Sequence, residues 1–90
     1  MEQVQKIQDL VEDIVEALVD DSAQVVIEAI TEDSGGGEST TINVTVAPGD
    51  VGKVIGKQGR TARSIRTILS GISMKLNHRF ILNIIEAPKV

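Results

Sequence analysis

The 90-residue sequence predicts an α+β domain, a three-stranded mixed sheet with three helices packed on one face, in the order α-β-β-α-α-β. Three observations carry that expectation. Apolar residues recur at spacings of three and four in two long segments, the period of helices with one buried face. A third segment, Thr40–Val46, alternates between Ile42, Val44, Val46 and Thr41, Asn43, Thr45, the period of a half-buried strand. The chain closes on a short Ile/Leu-rich run after a two-helix crossover, and such a crossover permits parallel pairing.

Each element follows from its residues. Residues 3–19 place Val4, Ile7, Val11, Ile14 and Leu18 on one helical stripe, flanked by Leu10 and Val15, with Glu12, Asp13 and Glu16 on other faces. Asp20-Asp21-Ser22 ends the helix. Gln24 to Thr31 is rich in Val and Ile and short enough for a strand. Glu32–Ser39, with Gly35-Gly36-Gly37 at its centre, is a polar hairpin loop. Thr40–Val46 is the second strand, and Ala47-Pro48-Gly49 stops it. Asp50 is placed to cap a short helix over Val51–Ile55. A Gly-x-x-Gly turn, Gly56-Lys57-Gln58-Gly59, leads into a helix from Arg60 to Asn77. Its apolar face is Ala62, Ile65, Ile68, Leu69, Ile72 and Leu76, with Arg60, Arg63 and Arg66 roughly opposite. Gly71 is a mild cost within it and a point where another backbone approaches. Phe80–Glu86 is the last strand.

Composition narrows the function. At 90 residues the chain is one small domain. With one Phe and no Trp or Tyr, the core is aliphatic, and no aromatic platform for stacking bases is available. The absence of Cys removes disulfides and Cys-based zinc sites. His78 alone is a poor metal ligand, and near a helix end it satisfies carbonyls or water. The acidic start and the lack of a long apolar run point to a cytoplasmic protein without a membrane segment. Net charge is −4, but unevenly spread. Residues 1–50 hold twelve acidic residues and one Lys, a charge of −11; residues 51–90 hold eight Lys or Arg and one Glu, a charge of +7. That asymmetry offers one face to a polyanion.

An enzyme is disfavoured. A phosphate-binding loop of the nucleotide-triphosphate kind requires four residues between its first Gly and Gly-Lys-Ser/Thr. Here three separate Gly52 from Gly56-Lys57, and Gln58 stands where the magnesium-binding hydroxyl belongs. The dinucleotide pattern fails at Val54. No catalytic residue, metal, cofactor or small-molecule substrate is expected.

The Gly-x-x-Gly turn carries more. Its glycines permit a sharp turn and close approach, Lys57 is a cation, Gln58 a hydrogen-bonding amide, and Val54-Ile55 an apolar prefix. The segment Gly49–Thr61, with the element order around it, resembles a type II KH domain, and within that fold the small bacterial KhpA family of RNA-binding proteins. The resemblance spans nearly the whole chain, residues 1–90. It implies a non-catalytic protein that clamps about four single-stranded RNA nucleotides. Carried onto this chain, Gly56 and Gly59 permit close approach so that their neighbouring N–H groups face phosphate, Lys57 supplies charge and Gln58 an amide donor to the backbone, and Val54 and Ile55 border an aliphatic base groove. The strand Thr40–Val46 and the helix after Arg60 border its other side. Lys53, Arg60 and Arg63 add salt-sensitive attraction; Arg66, furthest from the turn, is an ordinary solvated position. The resemblance further implies a homodimer or a heterodimer with a second RNA-binding protein, KhpB, and a role as RNA chaperone or post-transcriptional regulator affecting cell shape and cell-wall homeostasis. A protein-interaction module with little RNA affinity of its own is the alternative.

Overall fold

The computed structural model describes residues 2–33 and 35–88. Six elements appear in the expected order: α1 Glu2–Leu18, β1 Val26–Asp33, β2 Glu38–Val46, α2 Val51–Ile55, α3 Arg60–Leu76 and β3 Arg79–Glu86. The sheet order is β1-β2-β3. β1 and β2 form an antiparallel hairpin from Val26↔Thr45 to Asp33↔Glu38. β3 returns after the two-helix crossover to pair parallel with β2, from Ser39↔Arg79 to Val46↔Glu86.

The alternation in β2 decides which face the helices cover. Thr40, Ile42, Val44 and Val46 are fully buried, while Thr41, Asn43 and Thr45 keep partial exposure on the opposite face. Ile7, Val11 and Val15 of α1, Val54 of α2, Ile65 and Leu69 of α3, and Phe80 and Leu82 of β3 close over the inner face. Each such aliphatic side chain contributes about 1.5–3 kcal/mol by leaving water.

Several expectations are corrected. Gln24 belongs to a 3₁₀ turn, Ser22–Gln24, and β1 starts at Val26. The hairpin strands extend through Asp33 and from Glu38, so the connection is shorter than Glu32–Ser39; Ser34 within it lies outside the described residues. Those strand ends are solvated on both faces, so no apolar alternation marks them in the sequence. Ile68 and Leu10 are 52% and 41% exposed. Each lies at the rim of its helix's apolar stripe, one ~100° step from the buried Leu69 and Val11. Among the described residues no backbone approaches Gly71, where a Cβ would meet open space. His78 caps the end of α3 with its backbone N–H, which donates to Ser73 O (3.2 Å), whereas its ring is buried. The ring Nε2 lies 2.6 Å from Thr40 Oγ1, itself 2.8 Å from Thr31 Oγ1, and the imidazole stacks on Phe80 at 4.6 Å.

Asp50 does not cap α2. Its backbone is already helical and its side chain makes no capping bond. Instead the buried carboxylate accepts the N–H groups of Asp20 (3.2 Å) and Asp21 (3.0 Å), just beyond the end of α1. Lys53 completes the cluster, with Nζ 3.0 Å from Asp20 Oδ2 and 3.4 Å from Asp50 Oδ1. The two backbone N–H bonds hold the Asp50 carboxyl below the usual carboxylate range, and Asp20 and Asp50 raise the Lys53 ammonium. The helix preceding the glycine turn is thus tied to the far side of the sequence.

Candidate nucleic-acid interface

The turn between α2 and α3 is built on three unusual backbone states within four residues. Gly56 has φ +80° and ψ 170°, a conformation confined to glycine. Gln58 and Gly59 are left-handed, at φ +57° and +75°. The two glycines have different reasons. A Cβ on Gly56 would run into Thr61, reaching its side chain and coming within 2.8 Å of its backbone N; a Cβ on Gly59 would meet nothing within 4 Å. Gly56 therefore lets α2 and α3 close on each other, and Gly59 leaves space at the mouth of a cleft.

Gly56 N–H donates to Gly52 O (2.9 Å) and Gly59 N–H to Gly56 O (3.1 Å), so the glycine amides are spent on the turn itself. The amides left to meet an anion are those of the neighbouring residues. The N–H groups of Lys57 and Gln58 have no acceptor among the described residues, and both side chains are exposed.

Beside the turn lies a cleft of about 740 Å³. Ile55 and Gly59 form its upper end, Ala62, Arg63 and Arg66 one wall, and Asn83, Ile84 and Ile85 the other. Ile55 (37% exposed) is on its surface, but Val54 is fully buried beneath it and supports the groove from the core. The strand wall is β3, an edge strand, and not the central strand Thr40–Val46. Edge position matters chemically. Alternate residues of β3 turn their backbone groups outward, and Phe80 N–H is taken by Ser73 Oγ (3.0 Å) and Leu82 O by Arg66 Nη2 (3.3 Å). By that alternation Ile84, the next in the series, opens its N–H and C=O to the cleft.

The cations divide accordingly. Lys57 and Arg60 are exposed at the turn, with Arg60 at the start of α3 and outside the cleft lining. Arg63 and Arg66 line the cleft. Lys53 is held by two carboxylates and belongs to the α1–α2 tie. Arg66, read from the sequence as an ordinary solvated position, lines the cleft, as do Asn83, Ile84 and Ile85, which sequence reasoning did not single out. Arg66 follows Arg63 by three residues on one helical face, a signal that was legible; the contribution of β3 depends on sheet order, which has no local signature.

The family model described as KhpA/KhpB, KH domain, matches residues 8–84. Among curated proteins, the chain is 42% identical over 76 residues to the RNA-binding protein KhpA of Clostridium acetobutylicum, covering 84% of this chain and 96% of that one. It is 41% identical over 80 residues to KhpA of Aquifex aeolicus (89% and 96%) and 44% over 77 residues to KhpA of Caldanaerobacter subterraneus subsp. tengcongensis (86% and 97%). No solved structure matches it significantly. With its α-β-β-α-α-β order, its glycine turn and relatives of this similarity over most of its length, the chain belongs to the KhpA/KhpB family of KH-domain proteins.

Proposed function

We propose that residues 1–90 act as a single KH domain that binds single-stranded RNA without catalysis, gripping the backbone with Gly56-Lys57-Gln58-Gly59. The observation that carries this is the pairing of unpartnered Lys57 and Gln58 amides with an aliphatic cleft whose other wall is an open strand edge. Phosphate meets the two amides, the Lys57 ammonium and the Gln58 carboxamide. Bases lie against Ile55, Ile84 and Ile85, and the backbone of Ile84 meets their edges. Arg63 and Arg60 supply attraction that weakens with salt. Gly59 is required because any side chain there would crowd the mouth of the cleft. Val54 and Lys53 act indirectly, one under the groove and the other in the tie to α1.

The relatives' name, RNA-binding protein KhpA, supports this reading. From the same family likeness we infer a cytoplasmic RNA chaperone or post-transcriptional regulator that affects cell shape and cell-wall homeostasis, working as a homodimer or with KhpB. The exposed Leu10, Ile68 and Met74 offer apolar surface for such pairing; sedimentation at increasing concentration, alone and with KhpB, tests it, and a persistent monomer in both refutes it.

The test of RNA binding compares the native chain with a Lys57→Asp/Gln58→Asp variant on a fluorescent single-stranded RNA pool at two salt concentrations, folding being checked by circular dichroism. Salt-sensitive binding that disappears in the folded variant supports the clamp. Equal binding by both moves the site elsewhere, and no binding by either favours a pure interaction module.

A further inference from the structure

The cleft beside the turn does not stop at Arg66. Arg66 also lines a second hollow of about 270 Å³ between α3 and β3, with Ser70, Ser73 and Arg79. Ser73 and Arg79 in turn line a third, of about 400 Å³, reaching Asn77, His78 and the Gly36-Gly37 backbone. Shared lining residues make the three one seam that follows the outer edge of β3 and turns round the end of the sheet at Arg79 and Ser39. It runs the length of α3, whose seventeen residues span about 25 Å.

Charge along this seam is predominantly positive. From Val51 to Ile85 the chain contains no Asp or Glu. Arg63, Arg66 and Arg79 line the seam, and among the described residues the one carboxylate on its lining is Glu38, at its far mouth. The far end is also equipped with hydrogen-bonding groups. His78 is buried and lines the third hollow, its Nε2 engaged by Thr40 and its Nδ1 without a partner among the described residues. Ser39 and Asn77 border the same space. The character of the strand edge changes along the way: Arg66 takes the Leu82 carbonyl and Ser73 Oγ accepts the Phe80 N–H, whereas both backbone groups of Ile84 open to the first cleft.

We propose that the seam is an extended track for the same RNA strand, with a second anchoring subsite at Arg79, His78 and Asn77. This inference rests on the RNA-binding assignment of the glycine turn. Where the β3 edge is open, the strand is read through its bases; where Arg66 and Ser73 take up half of the edge groups and add their own polar side chains, the contacts go to phosphate and ribose and carry no sequence information. The footprint is then longer than the roughly four nucleotides of one clamp, and affinity rises with RNA length even for a monomer. An acidic polypeptide lying in the seam is the competing occupant, and it gives no RNA-length dependence.

The test measures binding of four- and twelve-nucleotide single-stranded RNAs by fluorescence anisotropy over a salt series. The native protein, Arg79→Gln, and Lys57→Asp/Gln58→Asp are compared, each shown folded by circular dichroism. The expected result is that Arg79→Gln leaves the four-nucleotide affinity unchanged, weakens the twelve-nucleotide complex about fivefold and lowers its salt slope by about one. Amide shifts of Ser73, Asn77 and Arg79 move with the long RNA and not with the short one. Unchanged binding of the long RNA by Arg79→Gln, or equal weakening of both lengths, overturns the extended track while the turn variant still reports on the primary clamp. If the turn variant binds both lengths as the native chain does, the clamp itself is refuted.

Discussion

Gly56 packs against Thr61 so closely that a Cβ at position 56 would come within 2.8 Å of the Thr61 backbone N and overlap its side chain. At Gly59 a Cβ has free space, and only the left-handed backbone, φ +75°, opposes it. The two motif glycines are therefore not equivalent. Gly56→Ala is expected to cost at least about 3 kcal/mol, combining a glycine-only backbone with overpacking. Gly59→Ala should cost about 1–2 kcal/mol. Urea unfolding of both variants checks the ranking, and equal losses contradict it.

The carboxylate of Asp50 links the end of α1 to the start of α2, so its charge state is coupled to folding. Its native pKa lies below the unfolded value of about 3.8. Its contribution is therefore complete above that value and lost as pH falls through the lower, folded one. Lys53 is raised above 10.5, so its share is present below that value and lost as pH climbs through the folded one. Thermal melts of Asp50→Asn against the native chain should show a gap at neutral pH that closes as pH falls below 3.8. A gap unchanged down to acid unfolding contradicts this account.

Thr40 sits between Thr31 and His78 with no exposed surface. Thr40→Val leaves the buried His78 Nε2 unpartnered, at a cost of about 1–3 kcal/mol. Removing both partners, as in Thr40→Val with His78→Leu, should recover part of that loss, which a denaturation series on the single and double variants measures.

Gly71 is an exposed glycine inside α3, and a Cβ there meets nothing within 4 Å. Gly71→Ala is expected to stabilise the fold by about 0.5–1 kcal/mol through helix propensity and a less disordered unfolded chain. A lower melting temperature would show that position 71 serves something other than the monomer.

These positions also mark where the sequence could be read and where it could not. The elements and the turn were legible because periodicity and glycine spacing are local. Which of Val54 and Ile55 faces the groove was not, since two adjacent apolar residues on a five-residue helix are sorted only by what that helix packs on. Asp50 looked like a cap because capping is a local pattern, yet a bond to a segment about thirty residues earlier won. Lys53 looked free for phosphate until the fold brought Asp20 to it. The groove was assigned to Thr40–Val46 when the strand on it is β3, because strand order is set by a long-range pairing that no window of sequence contains.

The most direct measurement is an NMR titration of the native chain with a single-stranded tetranucleotide RNA. The largest amide shifts are expected at Lys57, Gln58 and Ile84, where unpartnered turn amides stand beside a cleft walled by an open strand edge, with little change in α1 and β1. Shifts concentrated on α1 or β1, or none at saturating RNA, would contradict the assignment of the RNA clamp to the glycine turn.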